Sequence, residues 1–313
     1  MASSMQPIQR WNYKLSLGLK IRNAYGTAFQ DFFSTVMEKL HGDDYVRVRA
    51  FGTLGDKGCD GYLTKNGQVF QCYGKLEDAS PNAATIVQKL GDDYKLAALH
   101  LSAIMREWHF AHNLVNGLPT EALLKIENMK TAFPQHVIGV IGPSGLEDRV
   151  FGLSDDHLFE LLGPAATAED SQSLRMEEVR NLVDSLIASI ASNPPVVAAI
   201  GPVPHDKLVF NKLPTHWYGL IVAASQNAPY VRQYFEQHPT PETGENLAKI
   251  FSMRYRALKQ ENLSPSVIMD MLYEQITGMG SVTAQRQVAA QAILAYLFDS
   301  CDIFEDHPSK VVL

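Results

Sequence analysis

The chain has 313 residues, 46% of them hydrophobic and 19% charged, with a formal net charge of −7. That composition builds one large globular domain or two ordinary ones, and the acidic balance excludes a protein coated in nucleic acid along its length. No apolar run reaches the roughly 18 residues that a membrane span requires, so no membrane partner is expected. Met1 to Gln9 lacks the basic and apolar regions of a secretory leader, and three cysteines (Cys59, Cys72, Cys301) without zinc-ligand spacing fit a reducing cytoplasm.

The charge is unevenly spread. Residues 1–142 carry 15 Lys/Arg against 13 Asp/Glu, a net of +2, whereas residues 143–313 carry 12 against 21, a net of −9. The first half can approach a phosphate backbone; the second is repelled by one and suits a protein partner.

Phe29, Phe32, Phe33, Val36, Met37 and Leu40 recur at helical spacing and predict an amphipathic helix over 27–41. Tyr45 to Phe51 alternates apolar and polar residues, as a strand does. Residues 60–64 and 68–73 form a predicted hairpin around Lys65-Asn66-Gly67, with Asn-Gly as the turn signal. A long helix opens at Pro81 and runs to about Arg106. A strand over Trp108 to Leu114 follows, then a helix from Pro119 to Phe133 capped by Thr120, then an apolar strand over His136 to Ile141. Antiparallel strands followed by alternating helices and strands imply a mixed sheet flanked by helices.

Residues 143–172 are transitional, with a short helix capped by Ser154 and ended by Gly163-Pro164. From Leu174 the chain is mainly helical, with helices over about 228–238, 241–259, 265–278 and 282–299; Val196 to Pro214 has no clear pattern, and the last helix is expected to be buried on one side. The expected organisation is a domain over 1–160 and a helical protein-interaction domain over 161–313. His205-Asp206-Lys207 and His216 are too scattered for a metal site and are expected at the surface, and Cys301 is expected as a small buried hydrophobe.

The densest chemistry lies between residues 55 and 75. Gly55-Asp56-Lys57-Gly58-Cys59-Asp60-Gly61 places a carboxylate at the start of one strand, and Gln71-Cys72-Tyr73-Gly74-Lys75 places polar residues on the next. Gln71, Tyr73 and Lys75 share a face by the alternation of a strand, and neighbouring strands lie about 4.8 Å apart, so Asp60 can meet Gln71 across the hairpin. Metal-dependent phosphodiester cleavage needs oxygen ligands for Mg²⁺ (or Mn²⁺), an activated water and a cation facing the phosphate. Asp60 and Gln71 can supply the ligands, Asp56 can add a second carboxylate or shape the turn, and Lys75 can supply the cation.

This segment resembles the PD-(D/E)XK superfamily, in particular its Mrr-type branch, where a helix carrying G-x-x-F-E precedes a G-D-x-G-x-D-G turn and a Q-x-K strand. Gly26-Thr27-Ala28-Phe29-Gln30 corresponds to the helix, Gly55 to Gly61 to the turn, and Gln71-Cys72-Tyr73 to the strand. The resemblance implies a restriction-endonuclease-like fold, Asp60 as the metal-binding Asp, and Gln71 at the second acidic position. The chain departs from the pattern twice: the helix Glu is Gln30, which as an amide cannot act as a base, and the catalytic Lys falls on Tyr73. Lys75 stands two residues further on and can substitute.

A wider resemblance covers both halves. The G-D-x-x-x-D-G turn with its Gln71-x-Tyr73 strand, the Trp108-x-Phe110-x-His112-Asn113 strand with Gly117-Leu118-Pro119, and a helical half ending in Cys301-Asp302-Ile303-Phe304-Glu305 are similar to effector proteins of bacterial ABC-three-component anti-phage defence systems. This resemblance implies a DNA substrate and partner subunits including an ABC-type ATPase; with one certain carboxylate the free protein is expected to bind Mg²⁺ weakly, which fits a site completed by a partner or by homo-oligomerisation. Two functions stay open: a Mg²⁺-dependent endonuclease that is latent until activated, and a catalytically inactive nuclease-fold scaffold that binds nucleic acid or partner proteins. Trp108, His109, Phe110, His112 and Asn113 either line a substrate groove or serve as ordinary packing.

Overall fold

The computed structural model describes residues 5–49, 57–76, 82–190, 206–278, 280, 282–300 and 303–304. Its contacts divide the chain into two compact units, Lys20–Leu161 and Met1–Leu19 together with Leu162–Leu313. The first nineteen residues therefore belong with the helical unit, whereas the sequence had assigned residues 1–160 to one domain. The cause is helix α1 (Pro7–Asn23), which sequence patterning missed. Tyr13, Leu15, Leu17 and Ile21 of this helix are buried and do not form one stripe.

In the unit Lys20–Leu161, helix α2 (Thr27–His41) leads through a 3₁₀ turn (Gly42–Asp44) into strands β1 (Tyr45–Arg47), β2 (Gly61–Leu63) and β3 (Gln68–Tyr73). Helix α3 (Ala83–His100), β4 (Glu107–His112), α4 (Thr120–Ala132), β5 (Val137–Ile141), α5 (Pro143–Val150) and α6 (Asp155–Leu162) follow. The five strands form one mixed sheet in the order β1-β2-β3-β4-β5. β1, β2 and β3 are antiparallel neighbours, and β3, β4 and β5 run parallel. The expected mixed sheet flanked by helices is thus present. Pro119 stands at the N-cap of α4 and no side chain caps it, so Thr120 begins the helix without capping it.

Strand alternation divides the core between the two faces of the sheet. Phe70 points toward α2, where its ring lies 5.5 Å from that of Phe33 and 6.1 Å from that of Tyr45. Val69, Trp108, Phe110 and Ile138 point the other way and pack with Ile86, Leu90, Tyr94, Ala122 and Ile126 of α3 and α4. Trp108 and Phe110 are fully buried, which places them in packing.

The second unit holds α7 (Ala168–Gln172), α8 (Met176–Ile190), α9 (Asp206–Phe210), α10 (Thr215–Ser225), α11 (Ala228–Glu236), α12 (Thr243–Gln260), α13 (Pro265–Thr277) and α14 (Ala284–Ser300). Val288 to Phe298 is buried on every side, so α14 is the centre of the bundle and not a helix buried on one face. A helix apolar all round, as α10 also is, lacks the periodic signal that marks an amphipathic one. Lys207 is 1% exposed and His216 is buried, against the expectation of surface positions. Lys207 Nζ donates to the Phe298 carbonyl at 3.1 Å and lies 4.8 Å from the centre of its ring, which replaces water around the ammonium. Asp56, His205 and Cys301 lie outside the described residues.

The turn that presents Asp60 is stringently specified. Gly58 has φ +74°, and a Cβ there would fall 2.1 Å from the Asp93 carbonyl oxygen of α3. Gly58→Ala is therefore expected to cost more than about 2 kcal/mol of stability, from both the left-handed backbone and the clash. Urea denaturation of the parent and the variant measures this.

Candidate functional site

A cleft of about 510 Å³ opens at the C-terminal end of β3. Tyr25, Gly26, Thr27 and Gln30 line it from the start of α2, Asn82, Thr85 and Lys89 from the start of α3, and Asp60 and the segment Gln71 to Lys75 from the sheet side. The cleft thus brings together Gln30, Asp60, Gln71, Tyr73 and Lys75. The starts of two helices contribute to its walls, and the dipole of a helix start favours negative charge nearby.

Asp60 is 4% exposed. Its Oδ1 accepts from the Gln30 side-chain amide at 2.7 Å, and its Oδ2 accepts from the Cys72 backbone N–H at 2.7 Å. The Asp60 backbone N–H donates to the Phe70 carbonyl at 2.8 Å, and its carbonyl accepts from Val48 N–H at 3.0 Å. β3 and α2 therefore hold this carboxylate, and a buried carboxylate requires such partners. Asp60 bonds to the backbone of Cys72 and to Gln30 rather than directly across to the Gln71 side chain.

Gln71 is 2% exposed, and its Oε1 is buried with no hydrogen-bond partner among the described residues. A buried carbonyl oxygen left without a donor costs about 1–3 kcal/mol, so its place on the cleft wall beside Asp60 calls for a donor or a cation. Tyr73 stacks on Phe110 with ring centres 5.8 Å apart, and burial raises its phenol above its usual range while the charge of Lys89 lowers it. Burial, followed by the Asp60 charge, likewise raises the Cys72 thiol, against an opposing pull from Lys89.

Lys75 does not share the strand face of Gln71 and Tyr73, because β3 ends at Tyr73. Gly74 lies so close to α2 that a Cβ there would be 2.5 Å from Phe29 Cβ, and its carbonyl accepts from Gly26 N–H at 3.1 Å. That contact takes the chain out of the sheet, and Lys75 reaches the cleft from irregular backbone. Asn113 fastens this backbone: its Oδ1 accepts from Lys75 N–H at 2.8 Å, and its Nδ2 donates to the carbonyls of Lys75 at 2.9 Å, Ile21 at 3.1 Å and Ala24 at 2.6 Å. Asn113 is a positioning residue, and neither it nor His112 lines the cleft. His112 is buried, its Nδ1 accepts from Leu114 N–H at 3.2 Å, and burial lowers its pKa to about 4.

Lys89, like Tyr25, Asn82 and Thr85, lines the cleft without a signal in the sequence. Within an amphipathic helix Lys89 is indistinguishable from a solvated lysine, and only the fold brings it to the cleft. Its Nζ lies 2.6 Å from Asp93 Oδ2, with the two side chains 32% and 15% exposed. Among the described residues, no group of three or more His, Cys, Asp or Glu is arranged to hold a metal ion. Asp60 and the Gln71 carbonyl still fit Mg²⁺, which is commonly bound by one or two protein oxygens and completed by water.

Asn113→Ala is expected to remove roughly 3 kcal/mol of stability, because it leaves several backbone groups unbonded and releases the segment carrying Lys75. Thermal denaturation of the variant measures it. His112 and His216, each with a pKa lowered to about 4 by burial, stay neutral when folded and gain a proton more readily when unfolded. Their contribution to stability is complete above about pH 6.5 and is lost as pH falls from there to about 4. A series of unfolding curves between pH 7 and pH 4 should show this decline, and His112→Gln should flatten it.

Residues 177–305 match the family model described as C-terminal domain 10 of the ABC-three component (ABC-3C) systems. Neither the curated proteins nor the solved structures contain a match to this chain. No helix among the described residues is long and apolar enough to cross a membrane. The helical half of this chain, from α8 onward, is therefore similar to the C-terminal domains of ABC-three component systems.

Proposed function

We propose that the chain is the effector of an ABC-three-component anti-phage defence system, and that its cleft cuts DNA in a Mg²⁺-dependent reaction. The observation that carries this reading is the buried Gln71 Oε1 without a partner beside the braced Asp60 carboxylate. The mixed sheet and the G-D-x-G-x-D-G and Gln71-x-Tyr73 segments support a restriction-endonuclease-like core of the PD-(D/E)XK class. The match over residues 177–305 supports the association with other subunits of such a system, including an ABC-type ATPase.

In this reading Asp60 and Gln71 hold the metal, and a lysine of the cleft wall offsets charge on the phosphate. Bound Mg²⁺ supplies Lewis-acid polarisation of a phosphate oxygen and lowers the pKa of a coordinated water. Gln30 positions Asp60 and already occupies one of its oxygens, so the isolated protein holds the metal weakly. A partner subunit or oligomerisation then activates it by adding ligands or shifting the start of α2.

A second reading is favoured by two specific observations. The Gln30 amide sits where a carboxylate is expected, and the Tyr73 ring packs on Phe110 where a lysine is expected. In that case the fold is a scaffold that binds nucleic acid or partner proteins without cutting.

Incubation of the protein with plasmid DNA and Mg²⁺ or Mn²⁺, alone and with the partner ATPase, separates the two. Cutting that requires metal and disappears in Asp60→Ala is the expected result, and absence of cutting under every partner condition selects the scaffold. Gln30→Glu is expected to tighten Mn²⁺ binding, measured by calorimetry, by roughly tenfold or more, since it replaces an amide donor with a second carboxylate. Unchanged binding in that variant counts against a metal at Asp60.

A further inference from the structure

The positive charge over the substrate phosphate comes from helix α3 rather than from strand β3: we propose that Lys89 contacts the non-bridging oxygens of the scissile phosphodiester and that Asp93 orients it. The assignment rests on the phosphodiester-cleaving reading of the cleft and identifies which of its two lysines does the chemistry.

Three features converge on Lys89. Val69, Gln71 and Tyr73 alternate onto the face of the sheet that α3 covers, so a charge presented with the Gln71 carbonyl has to come from that side. Tyr73 cannot provide it, since its ring is stacked on Phe110. Lys89 stands on α3 between the fully buried Ile86 and Leu90, and its side chain emerges along the flank of the helix into the cleft.

Lys89 is also pre-organised. Its ammonium forms an ion pair at 2.6 Å with Asp93 Oδ2, on the next turn of the same helix, a contact of charge rather than a directed hydrogen bond. The carbonyl of Asp93 in turn lies against Gly58, in the turn that presents Asp60. The lysine, its carboxylate partner and the Asp60 turn thus form one contiguous piece of structure. Lys75 by contrast extends from irregular backbone past the end of β3, where Asn113 fixes its main chain. A long side chain on such a segment suits capture of the polyanion more than precise placement of charge.

In the reaction a water oxygen forms a bond to phosphorus while the bond to the leaving sugar oxygen breaks. That oxygen keeps the electron pair and is protonated from solvent, while the attacking water releases one proton to solvent. Lys89 stays protonated throughout and offsets the charge that accumulates on the non-bridging oxygens, a role typically worth roughly 10²–10³-fold in rate.

The test uses the full-length chain with its partner ATPase and compares Lys89→Met, Lys89→Arg and Lys75→Met with the parent. Lys89→Met is expected to lower kcat by about 100-fold with KM nearly unchanged, Lys89→Arg to recover much of the loss, and Lys75→Met to act mainly on KM. Retention of kcat in Lys89→Met overturns the assignment, as does failure of Lys89→Arg to recover it when both variants melt like the parent.

If the parent does not cut at all, the cleavage reading fails separately, and binding decides the role of Lys89. A short fluorescein-labelled DNA duplex is titrated in Ca²⁺ at several salt concentrations. Loss of one phosphate contact should reduce the slope of log K against log salt by about 0.9 in Lys89→Met. An unchanged slope, or a parent that binds no DNA, overturns the proposal.

Discussion

The local structure of the α/β unit depends on one buried carboxylate. Asp60 is taken out of water by its position between β2, β3 and α2, and each of its side-chain oxygens receives a donor, the Gln30 amide and the Cys72 backbone N–H. A carboxylate desolvated without partners is costly by several kcal/mol, so these bonds are conditions for the turn and not additions to it. They tie the first turn of α2 to the place where β2 and β3 meet. The glycines around the carboxylate serve the same closeness: Gly61 leaves room for the Tyr45 hydroxyl, and Gly74 lets β3 press against α2.

The same bracing explains how one cleft supports two functional readings. Gln30 satisfies Asp60 in the absence of any metal, which makes the resting site stable; a Glu at that position would place two carboxylates together and require a cation to hold them. Gln71 shows the opposite condition, a buried oxygen without a donor. One side of the site is satisfied as it stands and the other is not. That asymmetry is the local feature on which the two readings differ.

Much of the sheet was legible because its signals are local. The Asn66-Gly67 turn, the alternation over Tyr45 to Phe51, of which Tyr45 to Arg47 is strand, and the apolar run over His136 to Ile141, of which Val137 to Ile141 is strand, are local signals, and the Asp60-Gly61 pair marks the start of β2. The parts that were not legible depend on tertiary context. Lys89 has the pattern of a solvated lysine, and its place in the cleft follows from the crossing of α3 over β3. Asn113 has no local partner among its side-chain acceptors, since Ile21 and Ala24 lie some ninety positions away in sequence. Lys75 was placed on a strand face because alternation was extended past Tyr73, where the close approach of Gly74 to α2 ends the strand. Lys207 was assigned to the surface on its charge, although a carbonyl and an aromatic ring can replace its water.

The helical unit follows a different logic, in which polar groups set the register of an otherwise featureless core. α14 is apolar on all sides, and apolar packing alone specifies neither its rotation nor its axial position. Gln287 fixes both by donating to the Pro164 carbonyl at 2.7 Å and accepting from Ala166 N–H at 2.8 Å, while Gln291 donates to Asn12 Oδ1. Asn12 donates in turn to the Ala166 carbonyl at 2.9 Å. Asn12, Pro164 and Ala166 all lie outside the segment that matches the ABC-three component C-terminal domain. The matched helices are therefore not self-sufficient in this chain. Their central helix is keyed to α1 and to the segment before α7, and buried amides with all partners in place are the kind of contact that selects one packing among many.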